Sequence, residues 1–189
     1  KSGNIVDCFS RGIEGKYGNL ITGDVNSIDK NLLLADQYDT VINFILLKDE
    51  CVENNIEYLS SLHLFCNQRA KNLIHISSIS VYSDESIVSE NTAIETNSNL
   101  KGAYSTLKIE SDIFLVKQKK NYNLTFVRPG FIVSELAVSS TAGICINLPL
   151  NLSILLGNSK STLPLINRER MHLALDKICN SSKKLSCYL

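Results

Sequence analysis

The sequence predicts an α/β fold built on a parallel sheet with helices on both faces. Three observations carry that prediction. Continuous apolar, β-branched runs recur at Thr40–Leu46, Asn72–Ser77 and Asn123–Arg128, the pattern of strands covered on both sides. Apolar residues at helical spacing fill the stretches between them, 52–70 and Ala103–Lys119. Strands alternating with helices of that length form parallel βαβ units.

The elements follow in order. Asn4–Ser10 is a short apolar run bounded by glycines and reads as a strand, as does Asn19–Asp24. Ser27 to Asp36 has a capping serine and apolar Ile28, Leu32, Leu33 and Ala35, so a short helix is expected. In the 52–70 helix Ile56, Leu59, Leu62 and Phe65 form the apolar stripe; in the 103–119 helix Leu107, Ile109, Ile113, Phe114 and Val116 do so. Residues 84–101 are polar and loop-like, and Pro129-Gly130 ends the strand before it. Beyond residue 130 the pattern loosens. Arg168–Cys179 reads as a helix and Leu185–Leu189 as a strand. The apolar stretch Gly143–Gly157 is interrupted by Asn147, Pro149, Asn151 and Ser153, too short and polar to span a bilayer. A covering helix over a substrate site is expected there, ahead of a membrane-surface segment.

With 189 residues, 44% of them apolar, the chain can bury one sizeable core. Lys plus Arg equal Asp plus Glu at 19 each, which excludes a nucleic-acid-coating protein and a disordered chain. Residues 1–100 hold 7 basic and 14 acidic side chains, and residues 101–189 hold 12 basic and 5 acidic. Anionic ligands should therefore be met mainly by the second half. The 6 cysteines form no C-x-x-C pair and no cluster with His63, His75 or His172, so zinc-site spacing is absent. Cys8 and Cys66 lie in apolar runs, where reduced, buried thiols are expected. No signal peptide opens the chain, and a cytoplasmic location is the expectation. His75, inside an apolar strand, is expected to be a satisfied core histidine.

The chemistry-bearing constellation is Ser77-Ser78-Ile79-Ser80-Val81-Tyr82 at a strand end, followed by Tyr104-Ser105-Thr106-Leu107-Lys108 on a helix. An i, i+4 pair shares one helix face, so Lys108 can set a positive charge near the Tyr104 hydroxyl and favour its phenolate. Such a tyrosine exchanges a proton with a sugar hydroxyl or a carbonyl. Ser78 stands at the carboxyl end of a central strand, where open α/β sheets bind ligands, and its hydroxyl can hydrogen-bond the reacting oxygen. Alone, Y-x-x-x-K is common on helices; the preceding strand and serines, in βαβ order, give it weight.

From about Asn4 to Ile132 the chain resembles the NAD-dependent epimerase/dehydratase family of the extended short-chain dehydrogenase/reductase superfamily. Ile5–Arg11 resembles that family's second strand and its tip, and Gly23-Asp24-Val25 its G-D-[VLI] segment at the adenine. Asp39–Phe44 resembles the strand passing under the pyrophosphate, Asn55 the asparagine of the next helix, and Val127–Gly130 the R-P segment beside the nicotinamide. Ser78, Tyr104 and Lys108 match the catalytic triad of residues.

The resemblance implies a Rossmann-like doubly wound parallel sheet with a small, reduced C-terminal substrate region. Residues 1–132 would be the NAD(P)-binding domain and 133–189 a C-terminal region within the same compact unit. It implies Tyr104 as general acid/base, Ser78 as polariser of the substrate oxygen, and Lys108 as tuner of Tyr104 and ligand of the nicotinamide ribose. Cofactor contacts would come from Ser10, Arg11, Asp24, Val25, Asn43, Phe44, Ile45, Asn55, Lys108 and Pro129. Substrate contacts would come from Ser80, Phe131 and Arg168, with Arg128 and Arg170 as further diphosphate candidates; no metal is implied. The substrate would be a nucleotide-linked sugar, and a homodimer through the Tyr/Lys helix is the family's habit.

Two departures bear on this. The family opens with a strand and a glycine-rich turn at a helix N-terminus. Here Gly12-Ile13-Glu14-Gly15-Lys16-Tyr17-Gly18 matches the glycine spacing but runs directly into a strand, so it is a decoy. The expectation is a chain lacking its first βα unit, by truncation, disorder or processing, and binding a dinucleotide poorly. The C-terminal region is also short, either reduced or cut. Arg11 at the strand tip favours NADP over NAD, because an acidic residue there would bind a ribose hydroxyl. Ile79 and Ser80 replace the Asp-Glu pair of the family's dehydratases, which disfavours dehydration and leaves 4-keto reduction or 4-epimerisation. A non-catalytic NAD(P)-binding or sensing module is the rival reading.

Overall fold

The computed structural model describes residues 4–12, 18–31, 34–47, 51–83, 87–97, 101–133, 145–148, 152–155, 164–181 and 187–189. Its centre is a four-stranded, all-parallel sheet. Strands β3 (Val41–Asn43), β4 (Asn72–Ile76), β5 (Asn123–Val127) and β10 (Cys187–Tyr188) lie side by side in the order β10-β5-β4-β3. A separate parallel pair joins β1 (Asp7–Ser10) to β2 (Asn19–Thr22). The remaining strands form a parallel pair, β6 (Phe131–Val133) with β9 (Leu165–Asn167), and an antiparallel pair, β7 (Cys145–Leu148) with β8 (Leu152–Leu155). The α/β parallel architecture is thus the one the strand and helix alternation implies.

Helices α1 (Val52–Arg69) and α2 (Ala103–Lys117) cover one face of the central sheet and α3 (Arg168–Asn180) the other. Side-chain alternation along β4 shows why. Leu73 joins the cluster with Tyr58, Leu59, Leu62 and Phe65 of α1, while Ile74 and Ile76 join Met171, Leu175 and Ile178 of α3. On β5, Phe126 and Val127 divide the same way. Each such buried side chain contributes about 1.5–3 kcal/mol relative to exposure. Among the described residues after 132, α3 closes the sheet's second face and β10 extends its edge.

Helix ends follow local chemistry. Asn167 caps α3 by accepting from the backbone N–H of Glu169 and Arg170, at 2.6 and 3.4 Å. Lys120 Nζ closes α2 by donating to the carbonyls of Leu115, Val116 and Gln118, at 3.0, 2.9 and 2.8 Å. Gly18 has φ +78, and a Cβ there would overlap the Val6 carbonyl. It leads directly into β2, with Asn19 N–H donating to Val6 O at 2.8 Å. The G-x-x-G-x-x-G run thus opens no helix at its last glycine; residues 13–17 lie outside the described residues, as does Lys1-Ser2-Gly3.

Two expectations are corrected. The helix expected over Ser27–Asp36 is a 3-10 helix at Val25–Lys30. Asp24, not Ser27, is its cap, accepting from Asn26 N–H at 3.0 Å, and Ser27 itself has non-helical angles of −132° and 28°. An Asx turn at Asp24 captures the chain ahead of Ser27, and the described residues 34–40 that follow are not helical. The covering helix expected within Gly143–Gly157 is instead the β7–β8 antiparallel pair. Its apolar residues recur at every second position, Ile146 and Leu148, then Leu152 and Ile154, which is strand periodicity.

Candidate active site

The carboxyl ends of the parallel strands hold the candidate residues, as expected for an open α/β sheet. Ser78 follows β4 in extended conformation and caps a short 3-10 turn, Ile79–Val81, its Oγ accepting from Ser80 N–H at 3.2 Å. Backbone bonds strap this segment to the end of β5: Ser77 N–H to Val127 O at 2.8 Å and Ile79 N–H to Pro129 O at 3.0 Å. Tyr104 lies in the first turn of α2 and is 45% exposed, whereas Lys108, one turn on, is 4% exposed. Its ammonium donates to Ile76 O at 2.7 Å. Lys108 is thereby fixed beneath the segment that carries Ser78, and Tyr104 faces solvent on the same helix.

Beneath them lies a buried polar chain that motif spacing alone did not single out. Asp112, another turn along α2, is fully buried, and its Oδ2 accepts from Ser77 Oγ at 2.9 Å and from Arg128 Nε and Nη2 at 3.1 and 3.0 Å. Arg128 Nη1 donates to Tyr82 OH at 2.9 Å and to Cys187 Sγ at 3.4 Å. The guanidinium that sequence offered to a diphosphate is spent inside the protein, which leaves that expectation to Arg168 and Arg170, both exposed at the head of α3. Burial raises Asp112 to about 6 against the opposing pull of Arg128 and the Ser77 hydrogen bond.

His75 is a core histidine, as expected, with one nitrogen satisfied. Asn43 Oδ1 accepts from Ile45 N–H at 3.0 Å and from Tyr58 OH, so its Nδ2 is the donor to His75 Nδ1, at 2.9 Å. The proton of a neutral His75 therefore sits on Nε2, which has no hydrogen-bond partner and stands 3.8 Å from Asp112 Oδ1, itself unpartnered. Burial, then the charges of Lys108 and Arg128, lower His75 to about 3.

The proposed cofactor residues fall into three groups. At the tips of β1 and β2, Ser10 and Arg11 stand beside Gly23-Asp24-Val25, joined by Gly23 N–H to Ser10 O at 3.2 Å. Ser10 Oγ accepts from Gly12 N–H, and Arg11 and Asp24 are exposed, while Val25 is buried in the core. A Cβ at Gly23 would lie 2.9 Å from the Phe9 ring and 2.8 Å from Asn31 Nδ2, so any larger residue there must displace one of these side chains. After β3, Phe44 is exposed and Ile45 half-buried. The side chains of Asn43 and Asn55 are turned inward: Asn55 accepts from Leu47 N–H at 3.0 Å and donates to Leu47 O and Cys51 O. Both asparagines bind backbone groups of the 43–47 loop and leave Phe44 exposed. The third group is Lys108 with buried Pro129.

On the substrate side, Ser80 Oγ is buried without a partner, next to Ser78. Phe131 is 39% exposed at the start of β6, and Arg168 is exposed at the end of its partner strand β9. Of the residues that the resemblance assigns to a dinucleotide, the Arg11 cation and Asp24 carboxylate are exposed, as a polar adenosine portion would need, and the Lys108 ammonium is held at the Ile76 carbonyl. Among the described residues, none of α1, α2 and α3 opens on a glycine-rich turn that would cradle the pyrophosphate. No group of metal-binding side chains occurs among the described residues, and the described Cys8, Cys51, Cys66, Cys179 and Cys187 are not joined in disulfides. None of the described helices is long and apolar enough to cross a membrane.

The sequence profile of the NAD-binding male sterility protein family matches residues 35–180. The chain belongs to this family. That family is an NAD-binding one. The chain's fold is that of vestitone reductase from alfalfa, with TM-score 0.71, 11% identity, and coverage of 99% of this chain and 68% of that one. It is also that of the Bordetella bronchiseptica enzyme WbmG, solved in complex with NAD and UDP (TM-score 0.67, 10% identity, 99% and 64% coverage). UDP-N-acetylglucosamine 4-epimerase from Bacillus cereus matches 70% of the chain over 49% of its own length, with TM-score 0.54 and 19% identity. The chain thus spans roughly half to two thirds of these proteins. No curated protein matches the sequence.

Proposed function

We propose that the chain is an NAD(P)-dependent oxidoreductase or epimerase of nucleotide-linked sugars, performing 4-keto reduction or 4-epimerisation at Ser78, Tyr104 and Lys108. The observation that supports this best is the Lys108–Ile76 hydrogen bond. It ties the helix bearing Tyr104 to the strand end bearing Ser78, so that acid/base and polarising groups share one edge of the sheet. The Ser78 hydroxyl, accepting from Ser80 N–H, keeps its own proton for the substrate oxygen. Tyr104, exposed, gives or takes a proton at its phenolic oxygen. A bound nicotinamide supplies the hydride chemistry. Ser10, Arg11, Asp24, Val25, Asn43, Phe44, Ile45, Asn55 and Pro129 shape the cofactor groove. Ser80, Phe131 and Arg168 line the substrate side, Arg168 meeting the diphosphate. Structural relatives named for NAD, UDP, a sugar-nucleotide 4-epimerase and a reductase support the substrate and cofactor class. A homodimer through α2, whose Val116 is exposed, completes the reading.

Turnover of NADPH and NADH is followed with UDP-linked 4-keto sugars, and epimerisation with the parent UDP-sugars. Loss of about 10²–10⁴ in kcat on Tyr104→Phe is expected. Cofactor binding with no turnover, unchanged by Tyr104→Phe, would make the chain a binding or sensing module instead.

A further inference from the structure

Two side-chain hydrogen bonds cross from α2 to the end of β4. One is Lys108 Nζ to Ile76 O; the other is Ser77 Oγ to Asp112 Oδ2 at 2.9 Å. The first uses a group that the proposed chemistry also needs at the ligand. The second is buried on both sides and needed by nothing else. Tyr104, Lys108 and Asp112 fall at successive i, i+4 positions, so one helix face carries the proton-exchanging group, the cation and the anchor. Asp112 is itself held from behind by the two-pronged Arg128 contact, and Arg128 is braced by Tyr82 OH and Cys187 Sγ, with its guanidinium 5.1 Å from the Tyr82 and Phe126 ring centres. On its other oxygen Asp112 faces the Nε2 proton of His75, which Asn43 orients.

We propose that Asp112 is a positioning residue for the Ser78, Tyr104 and Lys108 site, setting the height of α2 against the Ser77–Ser78 segment through Ser77 and Arg128. This rests on the function proposed above. An ion pair kept only for stability should be replaceable by apolar residues of similar volume, since burying charges costs what their attraction returns. An ion pair kept for position should not. The buried charges also count: Lys108 and Arg128 are cations, Asp112 is the anion between them, and His75 is neutral. Removing the carboxylate alone leaves two buried cations behind the site.

The test is a set of variants compared with wild type by melting temperature, kcat and KM. Asp112→Leu with Arg128→Met removes one anion and one cation together, leaving Lys108 on the Ile76 carbonyl, and Ser77→Ala removes one hydroxyl and is expected to fold. For a positioning role, Asp112→Leu/Arg128→Met keeps its melting temperature within a few degrees and loses kcat by about tenfold or more. Ser77→Ala loses kcat several-fold, and KM for cofactor stays near wild type in both. Wild-type kcat in both variants would overturn the proposal. Should the double variant not fold, the Ser77→Ala result decides alone. A second readout needs no turnover: in amide NMR spectra of the unliganded chain, Asp112→Asn should displace the signals of Ser78 and Ile79 on the facing element. Unmoved signals there would overturn the proposal too. An inactive wild type with those signals displaced would count against the enzymatic reading and leave the anchor standing.

Discussion

Lys108, one helical turn from Tyr104, donates a 2.7 Å hydrogen bond to the carbonyl of Ile76 at the last position of β4. The bond makes the lysine both a chemical group and a structural tie. Lys108→Met should therefore fail in two measurements. Burying the Ile76 carbonyl without its donor costs about 1–3 kcal/mol, read as a lower denaturation midpoint. Turnover should fall by at least two orders of magnitude, the scale of losing an acid/base partner. A stable Lys108→Met chain with full turnover would contradict both assignments.

Arg11 stands exposed at the tip of β1, beside the Asp24 tip of β2. If it meets a 2′-phosphate, Arg11→Ala should weaken NADPH binding roughly tenfold, the worth of one charge-assisted bond. NADH affinity should stay unchanged. Calorimetric titration with each nucleotide separates the cases: an equal loss for both would mean Arg11 does not discriminate.

His75 and Asp112 set opposing pH dependences. His75 is lowered to about 3 from 6.5, so its contribution to stability is present above pH 6.5 and is lost as pH falls towards 3. Asp112 is raised to about 6 from 3.8, so its contribution is present below pH 3.8 and lost as pH rises through 6. The two contributions oppose one another across this range, so removing either group should uncover the other. Melting temperatures across that window should fall less steeply for His75→Gln than for wild type. The cation paired with Asp112, Arg128, is raised further above its ordinary value and stays charged throughout.

Gly130 lies where β5 turns towards β6, and a Cβ at this position would overlap the Pro164 carbonyl, the group that accepts from Phe131 N–H at 2.8 Å. Gly130→Ala must push the β6–β9 pair aside. The expected loss is about 1–3 kcal/mol, visible in chemical denaturation, with Phe131 displaced from the substrate side. KM for the sugar nucleotide should rise more than KM for the cofactor.

Strands and helices of the central layer were legible because burial on two faces leaves long apolar runs and helical stripes. Leu59, Leu62 and Phe65 pack where their spacing puts them, and the helix over 52–70 is found at Val52–Arg69. Ser78, Tyr104 and Lys108 were legible as a motif. Asp112 was not, although its i+4 offset from Lys108 was the available signal. A carboxylate on a helix looks the same in sequence whether it meets water or Arg128. Asn43 and Asn55 were read from resemblance as ligand contacts. Their inward hydrogen bonds depend on partners 32 and 8 residues away, which local pattern does not reveal. The 143–157 stretch was misread because total apolarity was weighed above its two-residue alternation.

The polar chain from Tyr58 through Asn43 and His75 to Asp112 also bears on how the sheet chooses its alignment. Strands apolar on both faces can slide by one residue and still bury oily surface, so hydrophobic patterning corrects such a slip poorly. In β3 and β4 the polar side chains do the correcting. Asn43 is aligned with His75 and bonded to it, and His75 is aligned with Phe126, whose ring meets it edge-on at 6.0 Å. A slip of one residue would turn Asn43 or His75 towards Met171 and Leu175, where the described cluster is apolar. The same few buried polar atoms that brace the site thus also act as alignment pins for the sheet.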